Sequence, residues 1–154
     1  MRSRALFLAL ICWLTIGSQL RSAEPAQATF VRGINLHGPA VVIDGNTWEA
    51  GDSPNLRCNG KAFENQAVPL KPATDAERTR MIRSSRWGAQ IDVDLLRIPD
   101  GDYQVCLYVW EDNDSTRFSV LVNDRKVLDS YASGPGGTWK RLGPWRARPV
   151  DGVI

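Results

Sequence analysis

The chain has 154 residues, 43% of them hydrophobic, which fits one globular domain with a true core and excludes a disordered chain. Its formal net charge of +2 comes from the leading segment: residues up to Ala28 include Arg2, Arg4, Arg21 and Glu24, and the remainder holds 16 basic and 16 acidic residues, 19 less three and 17 less one. A remainder balanced near zero gives no general electrostatic reason to bind nucleic acid or an anionic membrane.

Arg2 and Arg4 precede the apolar run Ala5–Gly17, and small residues follow, the pattern of a secretory signal peptide. About 13 apolar residues fall short of the roughly 20 that span a bilayer. Ala26-Gln27-Ala28 offers small residues at both positions a signal peptidase reads, so cleavage after Ala28 is expected. Residues 1–28 are then a signal peptide, and 29–154 a secreted or extracytoplasmic domain without membrane contact after cleavage. Cys12 leaves with the leader, making Cys58 and Cys106 the only pair in a compartment that permits disulfides. A bridge and two free thiols both fit. With His37 as its one histidine and no C-x-x-C pair, the chain cannot assemble a multi-histidine zinc site or attach c-type haem. No metal or cofactor is expected.

Thr29–Gly38 reads as a first strand, followed by the apolar run Ala40–Ile43 and an Asp44-Gly45-Asn46 turn. Glu49–Asp75, rich in proline, glycine and asparagine, reads as a long structured loop. Thr74, three residues before Glu77, is a capping-box signal for a short helix over Thr74–Met81. Strand patterns then cover Ile91–Ile98, Asp102–Glu111, Thr116–Val122 and Lys126–Ser130, with hairpin turns at Asp100-Gly101 and Asn123-Asp124. Beyond the loop Gly134–Gly137, Trp139–Leu142 and Trp145–Val150 suit further strands. Tyr103, Val105, Leu107 and Val109, with Phe118, Val120 and Val122, alternate as the expected core, while Gln104, Cys106, Tyr108 and Trp110 form the opposite face. Short strands with almost no helix imply an all-β fold, an antiparallel β-sandwich or jelly roll. Val153-Ile154, after an Asp151-Gly152 turn, reads as the start of another strand, so the domain is expected to lack its last strands.

A distributed set of elements resembles the malectin family and related carbohydrate-binding modules of the galactose-binding-like type. It comprises Gly33-Ile34-Asn35-Leu36-His37-Gly38, Asp44-Gly45-Asn46-Thr47-Trp48, Ser84-Ser85-Arg86-Trp87, and Ile98-Pro99-Asp100-Gly101-Asp102-Tyr103. Trp110-Glu111, Arg117-Phe118-Ser119-Val120, Val122-Asn123 and Asp151-Gly152-Val153-Ile154 continue it. The resemblance implies a noncatalytic β-sandwich that holds sugars in loops at one edge. Two positions depart from the family's best-known sugar binder: Ile82 stands where it has a tyrosine, and Asn113 and Asp114 where it has an aromatic pair. Its disaccharide specificity does not transfer.

Sugar binding needs a flat apolar surface for the C–H face of a pyranose and fixed polar groups for its hydroxyls. The tryptophans beyond the leader are Trp48, Trp87, Trp110, Trp139 and Trp145. Each is equally a core residue by type, but Trp87 beside a turn and Trp110 at a strand end lie where a ligand would meet them. Glu111, Asp112, Asn113 and Asp114 then follow as hydroxyl acceptors or as a solvated hairpin tip. Trp87, Trp110, Glu111, Asn113 and Asp114 are therefore the carbohydrate-binding candidates. A calcium site would draw on the same oxygens, but the EF-hand glycine and spacing are missing. Glu111 with Asp114 is the one carboxylate pair suited to a glycosidase, and no nucleophile elbow, metal cluster or phosphate loop supports catalysis. Arg78, Arg80, Arg83 and Arg86 share no single face, and Arg86, inside the family-like element, is assigned a structural role. The expected function is a noncatalytic carbohydrate-binding module of a secreted protein, joined to further domains in a longer chain; the alternative is a sandwich for protein–protein contact or structural support in an extracytoplasmic assembly.

Overall fold

The computed structural model describes residues 29–154, and the expected leader with its cleavage site lies outside the described residues. The first hairpin joins β1 (Val41–Ile43) to β2 (Asn46–Trp48). Asp44 and Gly45 between them have φ of 52° and 75°, the left-handed pair whose twist matches that of the strands. The strand expected over Thr29–Gly38 contracts to one bridge, Ile34 to Glu49. Its pairing stops because Asn35, fully buried, accepts from the Gly38 amide at 3.2 Å and donates to the Pro39 carbonyl at 2.9 Å, turning the chain.

The segment expected as loop over Glu49–Asp75 contains β3 (Leu56–Cys58) and β4 (Lys61–Glu64). Strands of three and four residues in a polar stretch are too short to display an alternation. Helix α1 (Ala76–Ile82) starts two residues later than expected, and its cap is Asp75 rather than Thr74, accepting from the Arg78 amide at 2.8 Å. β5 (Ser84–Trp87) follows at once and pairs with β4. The expected strand Ile91–Ile98 reduces to β6 (Val93–Leu95), which pairs with β3; Arg97, at φ 56°, ends the extended run.

β7 (Tyr103–Trp110) pairs with β10 (Trp139–Ala147), and β8 (Arg117–Val122) with β9 (Arg125–Ala132). Asn123 and Asp124, at φ 47° and 59°, make the turn between β8 and β9. Asp100-Gly101 and the acidic stretch after Trp110 are not hairpin turns, since they connect strands of different ribbons. Asp151-Gly152 does make a tight turn, and Ile154 then exchanges two backbone hydrogen bonds with Leu95, at 2.7 and 3.1 Å, along β6. The fold is all-β and antiparallel, its strands pairing among the described residues as five two-stranded ribbons.

The core also departs from expectation. Val41, Ile43, Leu70, Met81 and Ile82 form the buried cluster, with Trp48, Tyr108, Trp110 and Trp139 packed against it. Thus the Tyr108–Trp110 end of the aromatic face of β7 turns inward, because α1 and β1 lie there and wide rings bridge to them, while Gln104 at its other end is exposed. Tyr103, Val105, Leu107 and Val109, like Phe118, Val120 and Val122, are only half-buried. Tyr108 stacks on Trp139 at 5.9 Å and meets Trp48 edge-on at 5.8 Å, continuing the aromatic packing between ribbons. Cys58 and Cys106 are free thiols, half-buried on separate ribbons.

Candidate functional site

The β4–β5 ribbon brings two of the candidate residues together. Lys61 lies opposite Trp87, and Phe63 opposite Ser85, so these four side chains share one face. The other face is fastened inward: Ser84 is buried, and Arg86 donates to the Leu36 carbonyl at 2.7 Å and the Gly60 carbonyl at 3.3 Å. Arg86 thus has the structural role assigned to it from its place in the sequence.

Trp110 reaches the first face from β7. Its indole donates to Ser85 Oγ at 3.0 Å, and its ring centroid is 6.0 Å from that of Phe63. Trp87 stands two residues beyond Ser85 on the same face, about 7 Å along the strand. The indole of Trp110 is half-buried with its donor occupied, whereas Trp87 is 55% exposed. The Lys61 ammonium sits 5.3 Å from the Trp87 ring centroid, an aromatic–cation pair open to solvent.

Beside this pair is a polar cluster that sequence reasoning did not single out. Asn59 Nδ2 donates to Asp92 at 2.7 Å, the Asp92 amide donates back to Asn59 at 2.8 Å, and Gln90 donates to Asp92 at 3.1 Å. All three residues are exposed, and their mutual bonds hold amide and carboxylate groups in fixed directions. The signal available in the sequence was the concentration of amides and acids within a few residues of Lys61 and Trp87.

Glu111 behaves differently from its acidic neighbours. It is buried, and its carboxylate accepts from Ser133 Oγ at 2.7 Å and from the Asn113 amide at 3.3 Å. Its backbone is bonded on both sides as well, to Thr138 at 2.9 Å and Gly137 at 2.7 Å. The carboxylate therefore fastens the connection after β7 to the segment before β10. Asn113 and Asp114 are exposed, and Asn113 Oδ1 accepts from the Asp114 amide at 2.6 Å. Of the five candidates, Trp110 packs from β7 onto the β4–β5 face that carries Trp87, Glu111 lies inside, and Asn113 and Asp114 occupy the exposed connection. Among the described residues no group of three His, Cys, Asp or Glu side chains is arranged to hold a metal.

Compared with protein-family models, curated proteins and solved structures, the chain matches none.

Proposed function

We propose that the chain is a noncatalytic carbohydrate-binding module, a β-sandwich of malectin type belonging to a secreted protein. The observation that carries this reading is Trp87, an exposed indole paired with the Lys61 ammonium and bordered by the Asn59–Asp92–Gln90 cluster. An indole offers a flat surface to the C–H face of a pyranose, while the ammonium, amides and carboxylate offer donors and acceptors to its hydroxyls. Trp110 supports the same surface from below through Ser85 and Phe63. Binding at such an open surface is weak per site, because sugar hydroxyls surrender well-satisfied bonds to water.

A glycan array probed with the protein and with Trp87→Ala tests the reading. A related group of glycans bound by the protein and lost by the folded variant supports it; glycan binding that survives the substitution moves the site elsewhere. A second reading is protein–protein contact, for which exposed Val42 on β1 and Leu121 on β8 offer separate apolar contact points. A captured partner released by a specific free saccharide argues for the first reading, and one indifferent to sugars for the second.

A further inference from the structure

β10 carries Arg141 and Arg146, and Arg148 follows its last residue; their numbering alone would put Arg141 on the face opposite the other two. The register reverses this. Arg141 lies opposite Tyr108 and Leu142 opposite Leu107, but the next recorded partners are Trp145 with Val105 and Arg146 with Gln104. Gly143 and Pro144 together face the single residue Cys106, a β-bulge that shifts the alternation by one. Arg141 and Arg146 consequently share a face with Gln104, Cys106 and Tyr108. Side-chain contacts agree: Arg141 Nη2 is 3.1 Å from Cys106 Sγ, and Arg148 forms a double hydrogen bond with Asp102, at 2.5 and 2.9 Å.

The result is a line of three exposed guanidinium groups. Arg141 and Arg146 stand opposite residues four apart on β7, about 13 Å at roughly 3.4 Å per residue, and Arg148 extends the line to about 20 Å. Asp102, engaged by Arg148, also lies within electrostatic reach of Arg146, and Asp100 stands in the preceding connection. Neither Arg141 nor Arg146 forms a salt bridge among the described residues.

We propose that this face of the β7–β10 ribbon binds an acidic polysaccharide, a linear chain bearing sulfate or uronate groups, independently of the Trp87 surface. Guanidinium groups recognise sulfate and carboxylate through paired N–H donors, and a straight row of them matches an extended anionic chain. Nucleic acid fits less well, because the exposed half of the face offers no aromatic ring on which bases stack. An anionic membrane would call for exposed apolar side chains beside the cations; Gln104 and Asp102 stand beside Arg146 and Arg148, and Tyr108 and Cys106, nearer Arg141, are half-buried.

The test measures binding of the protein to dextran sulfate, with neutral dextran as the control polymer. Arg141→Glu and Arg146→Glu should each weaken binding about fivefold or more, the scale of one exposed ionic contact, and Arg→Gln variants should weaken it less. Lys140→Glu makes the same charge change on the same strand, but Lys140 lies opposite Val109 on the other face, so its effect should stay within about twofold. Equal losses in all three variants would reduce the site to overall charge and overturn it. So would absence of dextran sulfate binding, or tighter binding to single-stranded DNA or to phosphatidylglycerol vesicles than to dextran sulfate.

Discussion

Trp110 and Ser85 are joined by an indole N–H donating to a hydroxyl at 3.0 Å, and this bond distinguishes the two tryptophans of the candidate surface. Trp110 is committed to packing against the core cluster and Phe63, whereas Trp87 is bounded mainly by solvent and Lys61. Trp110→Ala should therefore cost about 3 kcal/mol of stability, and Trp110→Phe about 1 kcal/mol from the lost hydrogen bond and reduced packing. Trp87→Ala should stay within about 0.5 kcal/mol, as exposed substitutions do. Urea unfolding measures all three. A cost for Trp87→Ala equal to that for Trp110→Ala would make Trp87 a packing residue and remove the main support for a ligand surface.

Glu111 is expected to matter to folding in proportion to its burial. Removing its carboxylate leaves the Ser133 hydroxyl without its nearest acceptor, so Glu111→Ala should cost about 2 kcal/mol or more, and Glu111→Gln, which keeps one acceptor oxygen, about 1 kcal/mol. Ser133→Ala combined with Glu111→Ala should cost less than the two singles added, because both remove one interaction. Strict additivity in that cycle would show that the pair is not coupled.

On the acid side, Glu49 and Asp75 are two of the carboxylates held below their ordinary values and contribute to the expected pH dependence. The hydrogen bond from Ser53, helped by Asn55 and Arg32, holds Glu49 below its ordinary value against the opposing effect of burial. Asp75 is lowered chiefly by the Arg78 amide it caps. A depressed folded-state pKa means stability present above the unfolded value, near 4.5 for Glu49 and 3.8 for Asp75, and lost as pH falls through the lower folded values. Glu49→Gln should reduce stability by about 1 kcal/mol at neutral pH and flatten the decline below the ordinary carboxylate range. Thermal unfolding across that range provides the check; an unchanged slope in the variant would exclude Glu49 as a contributor.

Much of this arrangement could be read from residue order, and the remainder depended on contacts distant in sequence. The turns at Asp44-Gly45, Asn123-Asp124 and Asp151-Gly152 were legible because residues tolerant of positive φ mark them locally. β7 through β10 were legible by alternation, but not their partners: neighbouring strands β6, β7 and β8 each pair elsewhere, so the acidic stretch is a connection between ribbons. Trp87 and Trp110 were singled out by position near turns, yet their meeting at one face depends on β4, hidden in a stretch without alternation. Glu111 was grouped with Asp112 and Asp114 because a carboxylate's direction is set by Ser133, 22 residues on. Nor does the side-chain period reveal the Gly143–Pro144 bulge, which changes the face of every residue after it.

Gly137 supplies a last test of how the segment before β10 is held. Its amide donates to the Glu111 carbonyl at 2.7 Å, and its own carbonyl accepts from the Lys71 amide at 2.8 Å, joining three parts of the chain. Its φ is 85°, and a Cβ there would collide with the Pro69 carbonyl oxygen. Gly45 is the natural comparison: its φ of 75° imposes the same backbone strain on alanine, but no atom lies near where the Cβ would go. Gly45→Ala should thus cost about 1 kcal/mol, the conformational penalty alone. Gly137→Ala should cost about 2 kcal/mol more, since either the Pro69 carbonyl or the Gly137 backbone must move and strain the bonds to Lys71 and Glu111. Faster amide exchange at Gly137 and Lys71 in a folded Gly137→Ala variant would locate that strain. Equal costs for the two substitutions would show that the segment adjusts freely and that Gly137 is needed only for its φ.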